Sequence, residues 1–332
     1  MSVQLYPLTF RAVTRVQPWA GNLLGSYLEG MENTAGADIA EYWQVIDDGE
    51  LQSTVAEGPL AGTALSELRR RYPQEFVGRR HMPEHPFPLC LRLLDVGEDQ
   101  PLLVHPDCNL EAGAVKAQPN AKFWYSLAAK PGASVVAGIA PRVTGQQLLN
   151  KLSEPERLKT LVQRYPARVG DSYLVMPGIV HSLGAGNLLV ELQEHNVPAL
   201  ALSNWDTDNP VGDRERDAAM KALHIVTRRS PRISRESSAI QHTRRLPLTP
   251  NCPHFIVDEI RLFDHISLRT TGDSFHLLVV LRGAAHVEAQ GGPCKLPRGT
   301  ACCIPAALGN YKVEVVGNEP CELLRVARPF LS

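Results

Sequence analysis

The chain has 332 residues, enough for two domains that each bury a core of their own. Its 34 Lys and Arg against 35 Asp and Glu leave a net charge of −1, which argues against a general attraction for nucleic acid or an acidic membrane surface. No stretch approaches the roughly 18 uninterrupted apolar residues of a membrane span, and residues 1–7 lack the charged start and apolar run of a signal peptide.

Seven cysteines, an odd number, form no CxxC pair, and Cys302 and Cys303 adjoin inside an apolar run. That pattern points to reduced, buried thiols and a cytoplasmic protein, not to a disulfide frame or a structural zinc. The opening third is irregular, with aromatics and prolines between short apolar runs at 6–8, 17–21 and 41–46. Residues 62–72 read as a short helix capped by Thr63, with Leu65, Leu68 and Tyr72 on one side. Its Arg69, Arg70 and Arg71 are most simply a solvated face, with a phosphate grip as the alternative. Residues 86–95 form a buried-strand candidate bounded by prolines, and 102–106 another that ends in His105. Further strand signals follow at 122–127 and 134–138. The periodicity then changes: Thr144 with Gln147, and Ser153 with Glu156, fit the capping-box spacing ahead of leucines at helical intervals. A small helical insertion is therefore expected at about residues 144–168.

Gly170-Asp171 opens a short apolar strand, and Pro177-Gly178 reverses the chain to deliver His181. This Gly-x5-Met-Pro-Gly-x2-His spacing resembles the second half of the metal-binding signature of cupins, which are small β-barrels, with Pro177 one place later than usual. The plainer reading of His181 is a strand histidine that satisfies itself locally. Residues 187–193 form a strand whose alternation puts Glu191 and Gln193 on one face. Residues 213–229 read as a helix with Ala219, Met220 and Leu223 on one side, and 229–253 as a linker rich in Ser, Arg and Pro. From residue 254 the chain is nearly all strand, at 255–263, 275–283, 301–305 and 311–316. Gly299-x5-Pro305 repeats the earlier turn, but Asn310 stands where a histidine would follow. The expectation is a mainly β chain of two barrels: residues 1–228 with the pocket, and 254–332 without a metal site.

His105 in Leu-Val-His-Pro, Trp124-Tyr125, Gly170-Asp171, the turn into His181 and Glu191-Leu-Gln193 occur in an order that resembles the type I mannose-6-phosphate isomerases. The resemblance runs over nearly the whole chain. It implies a double cupin with a helical insertion, a zinc ion, and the interconversion of mannose 6-phosphate and fructose 6-phosphate. That reaction moves a proton between C1 and C2, and needs a base, a group that stabilises the oxyanion and a cationic grip on phosphate. The family holds zinc through a Gln, a Glu and two His. Carried onto this chain, the histidines are His105 and His181, while Leu103 stands at the Gln and Lys122 at the Glu. Asn120 replaces a lysine, Ala201 replaces an essential arginine, and Glu191 is retained. On this mapping Glu191 and Lys122 are the catalytic candidates, and Trp124, Asn120 and Gln193 the substrate-binding ones.

Two histidines leave zinc two ligands short of its usual shell, and an ammonium at Lys122 would repel the ion. Ala201 offers no bidentate grip on an enediolate or phosphate. Two functions follow: an isomerase of altered site, or a non-catalytic sugar- or phosphosugar-binding relative, a pseudoenzyme, with no nucleic-acid or membrane partner. In the second, the Lys122 ammonium takes the vacated metal position and pairs with Glu191. His81, His85, His195 and Cys108 are alternative ligands that no spacing singles out. His105 and His181 as barrel packing, and Trp124 and Tyr125 as core, are the plainer readings. Nothing in the sequence bears on oligomeric state.

Overall fold

The computed structural model describes residues 5–29, 38–112, 115–194, 197–206, 208–226, 230–234 and 242–329. Two seven-stranded antiparallel sheets form its frame. The first runs in space Arg232–Ile233, Ser172–Val175, Lys122–Ala129, Asn187–Gln193, Cys90–Val96, Ile39–Val45, Val13–Val16. The second runs Arg244–Pro247, Ile256–Leu262, Cys321–Ala327, His276–Arg282, Ala301–Ile304, Leu8–Arg11, Thr54–Val55. The chain's opening strand thus pairs with Ala301–Ile304, Leu8 opposite Cys303, and ties the start of the chain into the C-terminal sheet.

Each large sheet has a smaller one over its inner face, five-stranded in the first barrel and four-stranded in the second. Side-chain alternation divides the labour. One set from the large sheets, including Leu91, Leu93, Phe123, Val190, Val257, Leu277 and Val326, forms a single core between the two barrels. The alternate set fills the barrels: Leu94, Trp124, Tyr173 and Val175 in the first, Ile260, Leu278 and Ile304 in the second, where Tyr311 of the smaller sheet meets them. Adjacent aromatics therefore part company. Trp124 faces into its barrel, while Tyr125 joins the inter-barrel core and its hydroxyl donates to Glu259 Oε2 at 3.2 Å.

The mainly β double-cupin architecture is as expected, and several local features are corrected. The helix Leu65–Arg71 starts at Ala64, not at a Thr63 cap, and no side chain caps it. Leu65 and Leu68 are buried, but Arg69 is not part of a solvated face: it pairs with the buried Asp47 and also donates to the Pro83 carbonyl. Thr144 makes a full capping box with Gln147 at the helix Gly145–Leu149. Ser153 caps nothing, because the helix Pro155–Leu158 begins one residue later at Glu154. The helix Asp213–Ala222 ends earlier than its sequence pattern, with Leu223 already extended. Residues 229–253 include two short strands, Arg232–Ile233 and Arg244–Pro247, each at a sheet edge. All seven cysteines are free thiols. Among the described residues no helix is long and apolar enough to cross a membrane.

Candidate functional site

The Pro-Gly turn sets the geometry around His105 and His181 inside the first barrel. Gly178 has φ +82, a conformation that favours glycine, and a Cβ there would fall 2.4 Å from the His224 ring. Its N–H donates to the His105 carbonyl at 2.7 Å, so the turn that delivers His181 also fixes His105. The two imidazoles lie nearly parallel with centroids 5.8 Å apart, and Trp124 meets His181 edge-on at 5.6 Å. His181 is paired across the ladder with Leu103, and Leu103 with Ala201, which places these three positions side by side on adjacent strands.

Glu191 is the electrostatic centre. Its Oε1 accepts from Arg92 Nε at 2.8 Å and Nη2 at 2.6 Å. Its Oε2 accepts from Trp124 Nε1 at 2.8 Å and stands 3.5 Å from Lys122 Nζ. Arg92 reaches onward to Glu41 Oε1 at 2.8 Å and lies over the Trp43 ring, 4.4 Å from its centroid. Two carboxylates and two cations thus share one buried cluster. Burial pushes Glu191 upward, but Arg92, Lys122 and the Trp124 hydrogen bond outweigh it and hold the carboxyl at about 2. Burial pulls the Lys122 ammonium below its ordinary value, with Glu191 opposing. Asn120 Nδ2 lies 3.4 Å from Gln193 Oε1, both buried, on the strand ends next to Lys122.

The histidines are neutral. Burial first, then the Lys122 charge, lowers His105 to about 2 and His181 to about 4. His181 Nδ1 lies 2.9 Å from the Ile179 carbonyl; the carbonyl can only accept, so the proton is on Nδ1 and Nε2 is a bare acceptor. Among the described residues that Nε2 has no hydrogen-bond partner, and neither has either ring nitrogen of His105, although the Gln118 backbone is near. Buried polar atoms left this way call for a polar ligand or water.

The donor set does not fit zinc. Leu103, registered with His181, supplies no ligand atom, and the Lys122 ammonium 3.5 Å from Glu191 would repel a cation. Among the described residues, three His, Cys, Asp or Glu ligand atoms come within 4.8 Å of one another only at His286, Glu288 and Glu314, on the second barrel. His81 and His85 pair with each other, ring centroids 6.5 Å apart, and Cys108 is exposed. His195 lies outside the described residues.

Sequence reasoning missed Arg92, Glu41 and Trp43. The signal was an arginine inside the apolar run Leu91-Arg92-Leu93-Leu94, where a charge in a buried strand demands partners. In the second barrel it missed Tyr311: Asn310 is exposed at the strand's start, and Tyr311, one residue on, takes the inward place.

No family model matches the chain. Its sequence is similar to a probable mannose-6-phosphate isomerase, GmuF, of Bacillus subtilis, with 23% identity over 325 residues, covering 93% of this chain and 96% of that one. A mannose-6-phosphate isomerase of Streptococcus mutans is 20% identical over 308 residues, covering 93% and 95%. The fold is similar to the crystal structure of the mannose 6-phosphate isomerase from Bacillus subtilis, with TM-score 0.76 and 22% identity over 96% of this chain and 99% of that one. It is also similar to a zinc-bound mannose 6-phosphate isomerase, with TM-score 0.76 and 11% identity over 98% and 100%.

Proposed function

We propose that this chain, similar in sequence and fold to mannose-6-phosphate isomerases, binds a sugar or sugar phosphate in its first barrel without zinc and without the isomerisation those proteins are named for. The observation that carries this reading is the saturation of Glu191. All four of its hydrogen-bond and ion-pair contacts come from Arg92, Trp124 and Lys122, and the ammonium takes the place of an ionic ligand. A carboxylate held near 2 is a weak base, far from the value near the working pH that efficient proton transfer needs. Glu191 is thus an internal counter-ion, and Lys122 its partner in place of a metal. The unpartnered nitrogens of His105 and His181 are the groups left to bind hydroxyls, with Trp124 beside them as an apolar wall. Asn120 and Gln193 add polar groups next to Lys122. The free thiols suit a reducing, cytoplasmic setting.

The test combines three readings on one preparation grown with excess zinc: metal content, turnover of mannose 6-phosphate in a coupled assay, and thermal shift with mannose 6-phosphate. The expected result is less than one zinc in ten chains, no chelator-sensitive turnover, and a ligand-dependent rise in Tm. One zinc per chain with turnover that chelator abolishes would overturn the reading. A Lys122→Glu, Leu103→Gln variant should gain zinc where the parent has none.

A further inference from the structure

Five adjacent strands of the two large sheets follow the same order, from Ile39–Val45 to Ser172–Val175 in the first and from Arg244–Pro247 to Ala301–Ile304 in the second, so residues can be matched by register. Lys122 is opposite Gln193, and Glu191 is opposite Arg92; in the second sheet His276 is opposite Ala327, and Arg325 is opposite Asp258. Glu41, paired with Leu94, corresponds to Arg245, paired with Ile260. The buried trio Glu41–Arg92–Glu191 of the first barrel is therefore matched by Arg245–Asp258–Arg325 in the second, with every sign reversed.

The reversal leaves positive charge. Asp258 Oδ2 accepts from Arg325 Nε at 2.8 Å and Nη2 at 2.7 Å, and from Arg245 Nε at 2.9 Å and Nη2 at 2.8 Å. One carboxylate faces two guanidiniums, and among the described residues no second acid is within ion-pair distance of either. His276 does not add to the charge. Arg325 Nη1 lies 2.9 Å from its Nε2 and can only donate, so the ring is neutral and its Nδ1–H donates to the Tyr311 hydroxyl at 2.7 Å. The Tyr311 hydroxyl hydrogen is then left without an acceptor among the described residues, in a side chain 3% exposed.

The second barrel is also open where the first is closed. In the first, the strands Val13–Val16 and Leu200–Ser203 extend the two sheets past Ile39–Val45 and Leu102–Val104. Among the described residues the second has no counterparts beyond Arg244–Pro247 and His265–Arg269, which are sheet edges. Between those edges lies a cleft of about 830 Å³ whose lining includes Arg245, Arg269, Asn310, Tyr311, Lys312 and Glu288. Arg245 keeps 43% of its side chain exposed there, with Nη1 unused by Asp258. Lys312 is paired with Glu314, and Arg269 has no acid partner among the described residues.

We propose that this cleft is a binding site for a small phosphate-bearing anion, gripped by Arg245 and Arg269. Guanidinium groups present paired N–H donors that match a phosphate's oxygens, and the tie to Asp258 holds Arg245 ready before the ligand arrives. The first barrel plays no part in this site, so its own reading can fail without affecting it.

Isothermal titration of the whole chain with inorganic phosphate, and separately with acetate, tests the site against Arg245→Gln and Arg269→Gln. The expected result is phosphate binding that weakens at least about tenfold in each variant, the worth of one charge-assisted hydrogen bond. Acetate should bind more weakly than phosphate. Arg269 is exposed and has no acid partner among the described residues, so its variant reads out binding even if Arg245→Gln disturbs Asp258. Diffraction from crystals soaked in tungstate should put anomalous density between Arg245 and Arg269. Unchanged phosphate affinity in Arg269→Gln, absence of phosphate binding by the parent chain, acetate binding as tight as phosphate, or tungstate found only elsewhere would each overturn the proposal.

Discussion

Glu191 and Lys122 form an ion pair whose two halves matter unequally. If Lys122 becomes Met, Glu191 keeps two bonds from Arg92 and one from Trp124, and the Met side chain still fills the space of the lysine stem. If Glu191 becomes Gln, Lys122 loses its buried carboxylate and Arg92 is left with Glu41 alone. Removing one partner from a buried ionic cluster costs about 3–5 kcal/mol, so Glu191→Gln should lose about that much. Lys122→Met should lose less than about 1 kcal/mol, since it removes only the longest contact, at 3.5 Å, and with it a desolvated charge. Urea denaturation of both variants checks the asymmetry, and equal losses would mean that the lysine anchors the cluster. Part of this site could be read from residue types, because His105, His181, Lys122 and Glu191 sit in recognisable local patterns. Arg92 could not be placed the same way. Its partners Glu41 and Glu191 lie about 50 and 100 positions away, and only the register of three strands brings them together.

At the level of single elements, local chemistry decides some boundaries and tertiary packing decides others. Thr144 accepts from the Gln147 N–H at 3.2 Å while Gln147 Oε1 accepts from the Thr144 N–H at 2.8 Å. This reciprocal pair is fixed by four consecutive residues, which is why the sequence shows it. Losing such a cap costs about 0.5–2 kcal/mol. Thr144→Ala should therefore raise hydrogen-exchange rates of the Gly145–Leu149 amides by roughly threefold to thirtyfold, on the tenfold-per-1.4 kcal/mol scale. Ser153→Ala should leave the Pro155–Leu158 amides unchanged, since Glu154 starts that helix without any side-chain cap. A matching acceleration in both variants would show that Ser153 caps its helix after all. Where a helix starts against packed neighbours, the sequence misleads: Leu65 N–H bonds to the Ser53 carbonyl, which sets the start of Leu65–Arg71 from across the chain and leaves Thr63 outside.

For the whole molecule, the two barrels share a topology but not a charge pattern, and both bury histidine in a neutral state. His81, His105, His181 and His276 are 8%, 1%, 2% and 6% exposed, and burial holds them at about 4, 2, 4 and 3; His276 is lowered further by Arg325 and Arg245. In the unfolded chain each returns to an ordinary value near 6.5. Below that point the unfolded state binds protons that the native state refuses, so stability falls as pH falls. Four such groups give a limiting slope of about 5.5 kcal/mol per pH unit, from about 1.4 for each proton. Glu191 adds to the loss at lower pH: its folded value of about 2 lies below the unfolded one near 4.5, so its stabilisation is present above about 4.5 and disappears on the way down to about 2. Stability measured by urea denaturation should thus change little from pH 8 to pH 7 and drop steeply between pH 6.5 and pH 5. His181→Gln should reduce that slope by about one proton, or about 1.4 kcal/mol per pH unit, whatever it does to stability at pH 8. A profile that stays flat to pH 5 would mean that these rings take up protons in the folded barrels, and the neutral tautomers assigned to His181 and His276 would have to be given up.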